Sequence, residues 1–429
     1  MHRWLSRLVD VRADEVRALL WSFAYFFCLL ASYYVLRPLR DEMGIAGGVR
    51  NLHWLFTATF VVMLAAVPVF GALVARLPRR RFIPIVYHFF VLNLAVFWLL
   101  LTFGVDRVTV ARVFFVWISV FNLFAVSVFW SFMADLFRSD QGKRLFGFIA
   151  AGGSAGALLG PVLTVWLAAP LGPVNLLIVA AVLLEAAVLC AGRLEATAPQ
   201  ASPVAGAKSQ AAIGGNPLAG FALLVRSPYL AGIALWVLLL SLAGTFLYFY
   251  QANLVAAASD DPAVRTRIFA SIDLAAGILT LLVQTLATGR LIARFGVGPA
   301  FALLPLVFAA GFAALAANPM LMLVVAFQAL QRTANFSISN PAREVLFTAV
   351  GREEKYKAKY LIDGVTFRGG DALSGWLFNA LRGAGIELQA IALATIPVAL
   401  GWAALAFGLG KAQERRAASG AEQEASLRH

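Results

Sequence analysis

Long apolar runs, each about the twenty residues that a helix needs to cross the hydrocarbon core of a bilayer, leave this sequence few ways to fold. In the first part of the chain they cover 19–36, 52–75, 82–105, 113–134 and 145–184, the last divided in two by Pro170, Gly172 and Pro173, and none of them contains Asp, Glu, Lys or Arg. A second set covers 227–259, 268–289, 297–317, 319–339, 360–381 and 388–410, with Asp273, Arg332, Asp363, Arg368 and Asp371 as its charged residues. Hydrophobic residues make up 61% of the chain and charged residues 13%, with a mean hydropathy of +0.82. Soluble domains carry about 25% charge, so no separate soluble domain is expected. The sequence predicts an all-α membrane protein with twelve transmembrane helices in two pseudo-symmetric six-helix bundles. The expected organisation is an N-terminal bundle over 1–192, a linker rich in Ala, Gly, Ser and Pro over 193–226, a C-terminal bundle over 227–410 and a tail over 411–429.

The formal net charge of +13 does not predict a nucleic-acid partner, because the basic residues are scattered through the short segments between the runs. Their distribution speaks instead to orientation. With the N-terminus inside, 25 of the 35 Lys and Arg fall on the cytoplasmic side and 8 on the other, while Arg332 and Arg368 lie within spans. Both termini are therefore expected in the cytoplasm of a bacterial inner membrane. Cys28 and Cys190 lie inside apolar runs and are expected to be small apolar fillers rather than a disulfide or metal site. No Gly-rich phosphate loop, no His-Glu-x-x-His and no pair of metal-spaced histidines is present, so neither an ATPase, a cofactor, a metal nor an enzyme activity is predicted.

The two halves echo each other. Gly71, Leu73 and Arg76 are matched by Gly289, Leu291 and Arg294 at an offset of 218, and Gly152-Gly153-Ser154-Ala155 is echoed by Gly369-Gly370-Asp371-Ala372 at 217. The segment Gly71-x-Leu73-x-x-Arg76-x-Pro78-Arg79-Arg80 resembles the loop signature between the second and third helices of the major facilitator superfamily, and Gly152, Gly156 and Gly160-Pro161 resemble its glycine-rich fifth helix. That resemblance implies parallel six-helix halves about an axis along the membrane normal, with a substrate site near the midplane.

Candidate functional residues are the polar ones inside spans, where a central Arg costs about 2.5–3.5 kcal/mol on insertion scales. Gln328, Arg332, Asn335 and Ser339 fall at helical spacing on the tenth run, Asp273, Thr280, Gln284 and Thr288 on the eighth, Ser241, Thr245 and Tyr248 on the seventh, and Arg368 with Asp371 on the eleventh. Together such stripes predict a water-filled pathway. Arg368 and Asp371 can equally neutralise each other as an i, i+3 pair. Asp273 and Glu185 are candidates for coupling to an ion, Glu185 being alternatively a protonated acid in a helix seam. At the end of the first run, Tyr33, Arg37 and Arg40 share a face if the helix continues past Pro38. Arg suits planar contact with phosphate or carboxylate, which favours an anionic substrate. Arg76, Lys355, Lys357 and Lys359 are candidates for a cytoplasmic gate or for steering that anion.

A second resemblance rests on Arg37-Pro38-Leu39-Arg40-Asp41-Glu42-Met43-Gly44, on Asn340-Pro341-Ala342-Arg343-Glu344 and on Arg368-Gly369-Gly370-Asp371. These segments resemble the nucleotide exchange transporters, the ATP/ADP antiporter family with its bacterial relatives. The resemblance implies that Arg40, with Asp41 beside it, meets substrate phosphates. The expected function is secondary-active transport by alternating access of a small anionic solute such as ATP or ADP, by a monomer in the lipid bilayer. The alternatives are an efflux carrier of drugs or other organic solutes, and a non-transporting receptor on the same scaffold.

Overall fold

The computed structural model describes residues 11–76, 79–137, 139–197, 224, 226–350, 358–359 and 361–426, and all its long elements are helices. They are α1 (Val16–Ala46), α2 (Leu52–Arg76), α3 (Arg79–Thr102), α4 (Arg107–Leu136), α5 (Ser139–Leu171), α6 (Leu176–Thr197), α7 (Pro228–Ala258), α8 (Pro262–Leu286), α9 (Val297–Ala317), α10 (Leu321–Ala334), α11 (Phe367–Gly383) and α12 (Leu388–Ser426). No strand occurs among the described residues. Among the described residues ten helices, α1 to α9 and α12, are long and apolar enough to cross a membrane. Large apolar side chains stand on their outer surfaces, with Trp166 of α5 76%, Leu189 of α6 69% and Leu92 of α3 62% exposed. Helices apolar on every side suit a lipid surround rather than water.

The remaining two runs are interrupted. The tenth, expected as one helix over 319–339, is the 14-residue α10, a π-helical turn at Asn335–Ser339 and a seven-residue helix at Asn340–Leu346. Pro341 explains part of this: it has no N–H for the Ser337 carbonyl four residues back, and the Thr288 hydroxyl donates to that carbonyl instead, at 2.8 Å. The eleventh, expected over 360–381, opens with a π-helical turn at Leu361–Thr366 before α11. At the first run the boundary differs in the other direction. The apolar run ends at Leu36, but α1 continues through Pro38 to Ala46, because the charged residues beyond Leu36 find partners inside the protein.

The chain divides into two compact units. The first is Met1–Gly48, Val61–Gly214 and Ser259–Leu274; the second is Val49–Phe60, Gly215–Ala258 and Ala275–His429. In the first, α1 packs against α4, α5 and α6. Gly152, Gly156 and Gly160 form the contact surface of α5: a Cβ on Gly152 would lie 2.6 Å from the Phe23 carbonyl oxygen, and one on Gly156 would run into the Phe27 carbonyl. Only bare backbone allows helices this close. The Tyr25 hydroxyl donates to that of Tyr87 at 2.6 Å, which donates to the Ala125 carbonyl at 3.1 Å, joining α1, α3 and α4 through a chain with no polar atom left over. Cys28 and Cys190 are both free thiols, Cys28 partly buried on α1 and Cys190 buried on α6. Ahead of α1, Glu15 accepts hydrogen bonds from the Arg12 backbone (3.0 Å), Gln141 (2.9 Å) and Arg144 (3.0 Å). Burial opposes ionisation of this carboxyl, yet these donors more than offset it and lower its pKa from 4.5 to about 2.

In the second unit α9 packs against α12, and α7 against α11 and α12. Trp236 stacks on Phe301 at 4.1 Å, with Trp402 beside it at 5.3 Å.

Candidate substrate-binding site

The first unit gathers its charges around the end of α1. Because the helix runs through Pro38, Tyr33, Arg37 and Arg40 do share a face. Arg37 Nη1 lies 3.8 Å from Asp273 Oδ1 on α8, and its guanidinium stands 5.6 Å from the Tyr34 ring. Arg40 Nη1 lies 3.2 Å from Asp41 Oδ1, and its guanidinium carbon sits 3.9 Å above the Phe115 ring of α4. Its Nε is buried and has no hydrogen-bond partner among the described residues. Two residues on, the fully buried Glu42 is held between Arg107 of α4 and Arg265 of α8, each at 3.5 Å. Two pairs thus tie α1 to the first half of α8, and Arg107 adds α4.

In the second unit Arg368 and Asp371 form their i, i+3 pair at 3.5 Å. Asp371 also accepts from the Ser241 hydroxyl at 2.6 Å, and Thr245 lies 3.4 Å away. The amides form a separate chain: Gln331 donates to Gln328 at 2.8 Å, and Gln328 donates to Gln251. Arg332 and Asn335 are half-buried where α10 passes into its π turn. Asn335 Oδ1 and Ser339 Oγ are buried without partners among the described residues. Because the π turn shifts the helical phase, Gln328, Arg332, Asn335 and Ser339 do not continue as the straight stripe their spacing predicts. Tyr248 is half-buried with its ring 5.5 Å from Phe56.

Other candidates fall elsewhere. On the unbroken α8, Asp273 is 4% exposed and Gln284 is exposed, so the face that their spacing defines is buried at Asp273 and open at Gln284. Glu185 does not stand alone: its carboxylate lies 3.5 Å from His88 Nε2 between α6 and α3, away from the Arg37 group, and both side chains are exposed. Lys359 bonds Glu344 at 2.6 Å, beside a second pair of Arg343 with Asp363 at 3.2 Å. Lys355, Lys357 and the side chain of Arg76 lie outside the described residues. Sequence reasoning did not find Gln251, the Arg107–Glu42–Arg265 arrangement or His88. Glu42 stood in the quoted motif, but nothing local in the sequence names its partners.

This arrangement is that of a multi-pass membrane protein with internal polar clusters, and the comparisons agree. The family model of the Major Facilitator Superfamily matches residues 18–264, so the chain belongs to that superfamily of membrane transporters. Among solved structures, the POT family transporter PepTSo is similar over 95% of this chain and 99% of its own, with 12% identity and a TM-score of 0.63. The nucleoside transporter NupG is similar over 94% and 99%, at 15% identity and a TM-score of 0.59. A bacterial homolog of the human lysosomal transporter Spinster covers 95% and 99%, with 14% identity and a TM-score of 0.58. At these identities the likeness is one of fold. No curated protein matches.

Proposed function

We propose that this protein is a secondary-active carrier which moves a small anionic solute by alternating access, with the halves 1–192 and 227–410 rocking about a central site. A nucleotide or other phosphorylated metabolite is the leading substrate class, exchanged as in ATP/ADP antiport or moved with an ion, and organic carboxylates come second. The protein acts as a monomer in a bacterial inner membrane with both termini cytoplasmic.

The observation that carries this reading is Arg40, whose buried Nε lacks an acceptor while its guanidinium lies over an aromatic ring. A buried charged donor without an acceptor is costly, and a phosphate or carboxylate oxygen supplies what it lacks. Beside it, Arg37 and Asp273 are 3.8 Å apart, a separation at which an incoming anion can displace the carboxylate. Asp273 and Arg37 belong to helices of opposite halves of the sequence, so that exchange of partners would couple binding to movement.

The test is a counterflow panel in proteoliposomes loaded with ATP, ADP, other nucleotides, phosphate or carboxylates, with and without a proton gradient. The expected result is saturable exchange of one anion, lost in Arg40→Ala while membrane insertion is kept. Uptake indifferent to all these anions but blocked by lipophilic cations would overturn the anion reading in favour of efflux. Tight binding without flux would replace transport with a receptor role.

A further inference from the structure

A cavity of about 440 Å³ opens in the second unit, among the 49–53 segment, the last third of α7 and the end of α11. Its polar lining consists of Arg50, His53, Asn253, Asn379 and Arg382. No carboxylate lines it, and neither Arg50 nor Arg382 forms an ion pair among the described residues. Arg37, Arg40, Arg265 and Arg368, by contrast, each have an acid within 4 Å. Two arginines converging without one are therefore distinctive.

The groups are held in place. His53 is 6% exposed and its ring lies edge-on to Trp376 at 4.5 Å. The Trp376 indole donates to Thr57 at 3.0 Å, which fixes α11 against the start of α2. Gly375 lets these backbones meet: a Cβ there would stand 3.3 Å from His53 Cα. Arg382 spends one Nη1 hydrogen on the Ile386 carbonyl at 2.9 Å, which orients its guanidinium and leaves four N–H groups. Phe249 and Phe378, 5.2 Å apart, add an apolar wall. By the orientation proposed above, this cavity is on the side opposite the cytoplasm, where positively charged residues are ordinarily few.

We propose that this cavity is an oxyanion-binding vestibule, separate from the Arg37 and Arg40 group, in which Arg50 and Arg382 grip a phosphate or carboxylate and the two asparagines complete the donors. The apolar wall receives the carbon skeleton of the same molecule. The chemistry fits either a soluble anion or the headgroup of an anionic lipid.

Phenylglyoxal labelling of the purified full-length protein, read residue by residue by mass spectrometry, tests this. One arm uses detergent micelles with inorganic phosphate against potassium chloride at equal ionic strength. A second uses nanodiscs of phosphatidylcholine with or without phosphatidylglycerol. Protection of both Arg50 and Arg382 by phosphate identifies a soluble oxyanion as the ligand, and protection by phosphatidylglycerol alone identifies the headgroup; either supports the vestibule. In Arg382→Gln, the concentration protecting Arg50 should rise about tenfold, the loss expected for one charge-assisted contact. Labelling of Arg50 and Arg382 unchanged in both arms, or equally reduced by chloride, overturns the proposal. Because the readout is labelling, an absence of anion transport in proteoliposomes would leave it standing, and loss of protection would leave the transport reading standing.

Discussion

Arg37 and Asp273 make a contact that is close enough to neutralise both charges in a low-dielectric setting but too long for a good hydrogen bond. A pair of that kind can open. Replacing Asp273 with Asn removes the competitor for Arg37 while keeping its shape. The expected outcome is a solute affinity raised several-fold and a turnover reduced at least tenfold, checked by measuring binding and proteoliposome flux on one preparation. Unchanged flux in Asp273→Asn would separate this pair from the transport cycle. Arg40→Lys keeps the charge and loses the planar fork and the buried Nε. Flux in that variant should be intermediate between wild type and Arg40→Ala. These partners were only half legible in the sequence. Asp273, Arg368 and Asp371 stood out because charges inside apolar runs are rare, and Arg37 and Arg40 because they share a face if the first helix continues past Pro38, but which acid meets which arginine depends on helices brought together from residues 37 and 273.

Elements were legible to the extent that apolar runs and breakers define them. Pro170, Gly172 and Pro173 cut α5 from α6 where expected, with Gly172 at φ +77°. The glycine repeat of the fifth run was visible as spacing, and its use, bare contact with α1, needed the fold. Gly156→Leu drives a side chain into the Phe27 carbonyl, and overpacking of this kind costs about 1–3 kcal/mol or more. A lower thermal unfolding midpoint in detergent is expected, with Gly192→Leu, whose added Cβ meets nothing within 4 Å, close to wild type. The π turns at Asn335–Ser339 and Leu361–Thr366 were not legible, because the polar residues that accompany them fit an α-helical stripe equally well. Deleting Phe336, which is 47% exposed, would reset the tenth span toward α-helical register. The variant should insert but lose transport, measured as flux per inserted protein.

At the scale of the molecule, the membrane class followed from hydropathy alone, and its assignment to the major facilitator superfamily rests on the match over residues 18–264. Stability at the N-terminus has its own pH dependence. Glu15 is lowered from 4.5 to about 2 in the folded protein, so its stabilising contacts are fully present above pH 4.5 and disappear as pH falls toward 2. Glu15→Gln should therefore unfold at a lower temperature than wild type at pH 6, and the gap should close as the pH is taken to 3 and below. A gap that stays constant would assign those contacts no ionic character.

The two interrupted spans also bear on where water goes. A π turn widens the ring of each backbone hydrogen bond and weakens it, and both turns carry polar residues: Asn335 and Ser339 in one, Asp363 in the other. If solvent enters beside them during the cycle, deuterium will replace amide hydrogens there sooner than in the lipid-facing turns of α3 or α9. Adding the true solute, by shutting one entrance, should slow that replacement in both segments at once.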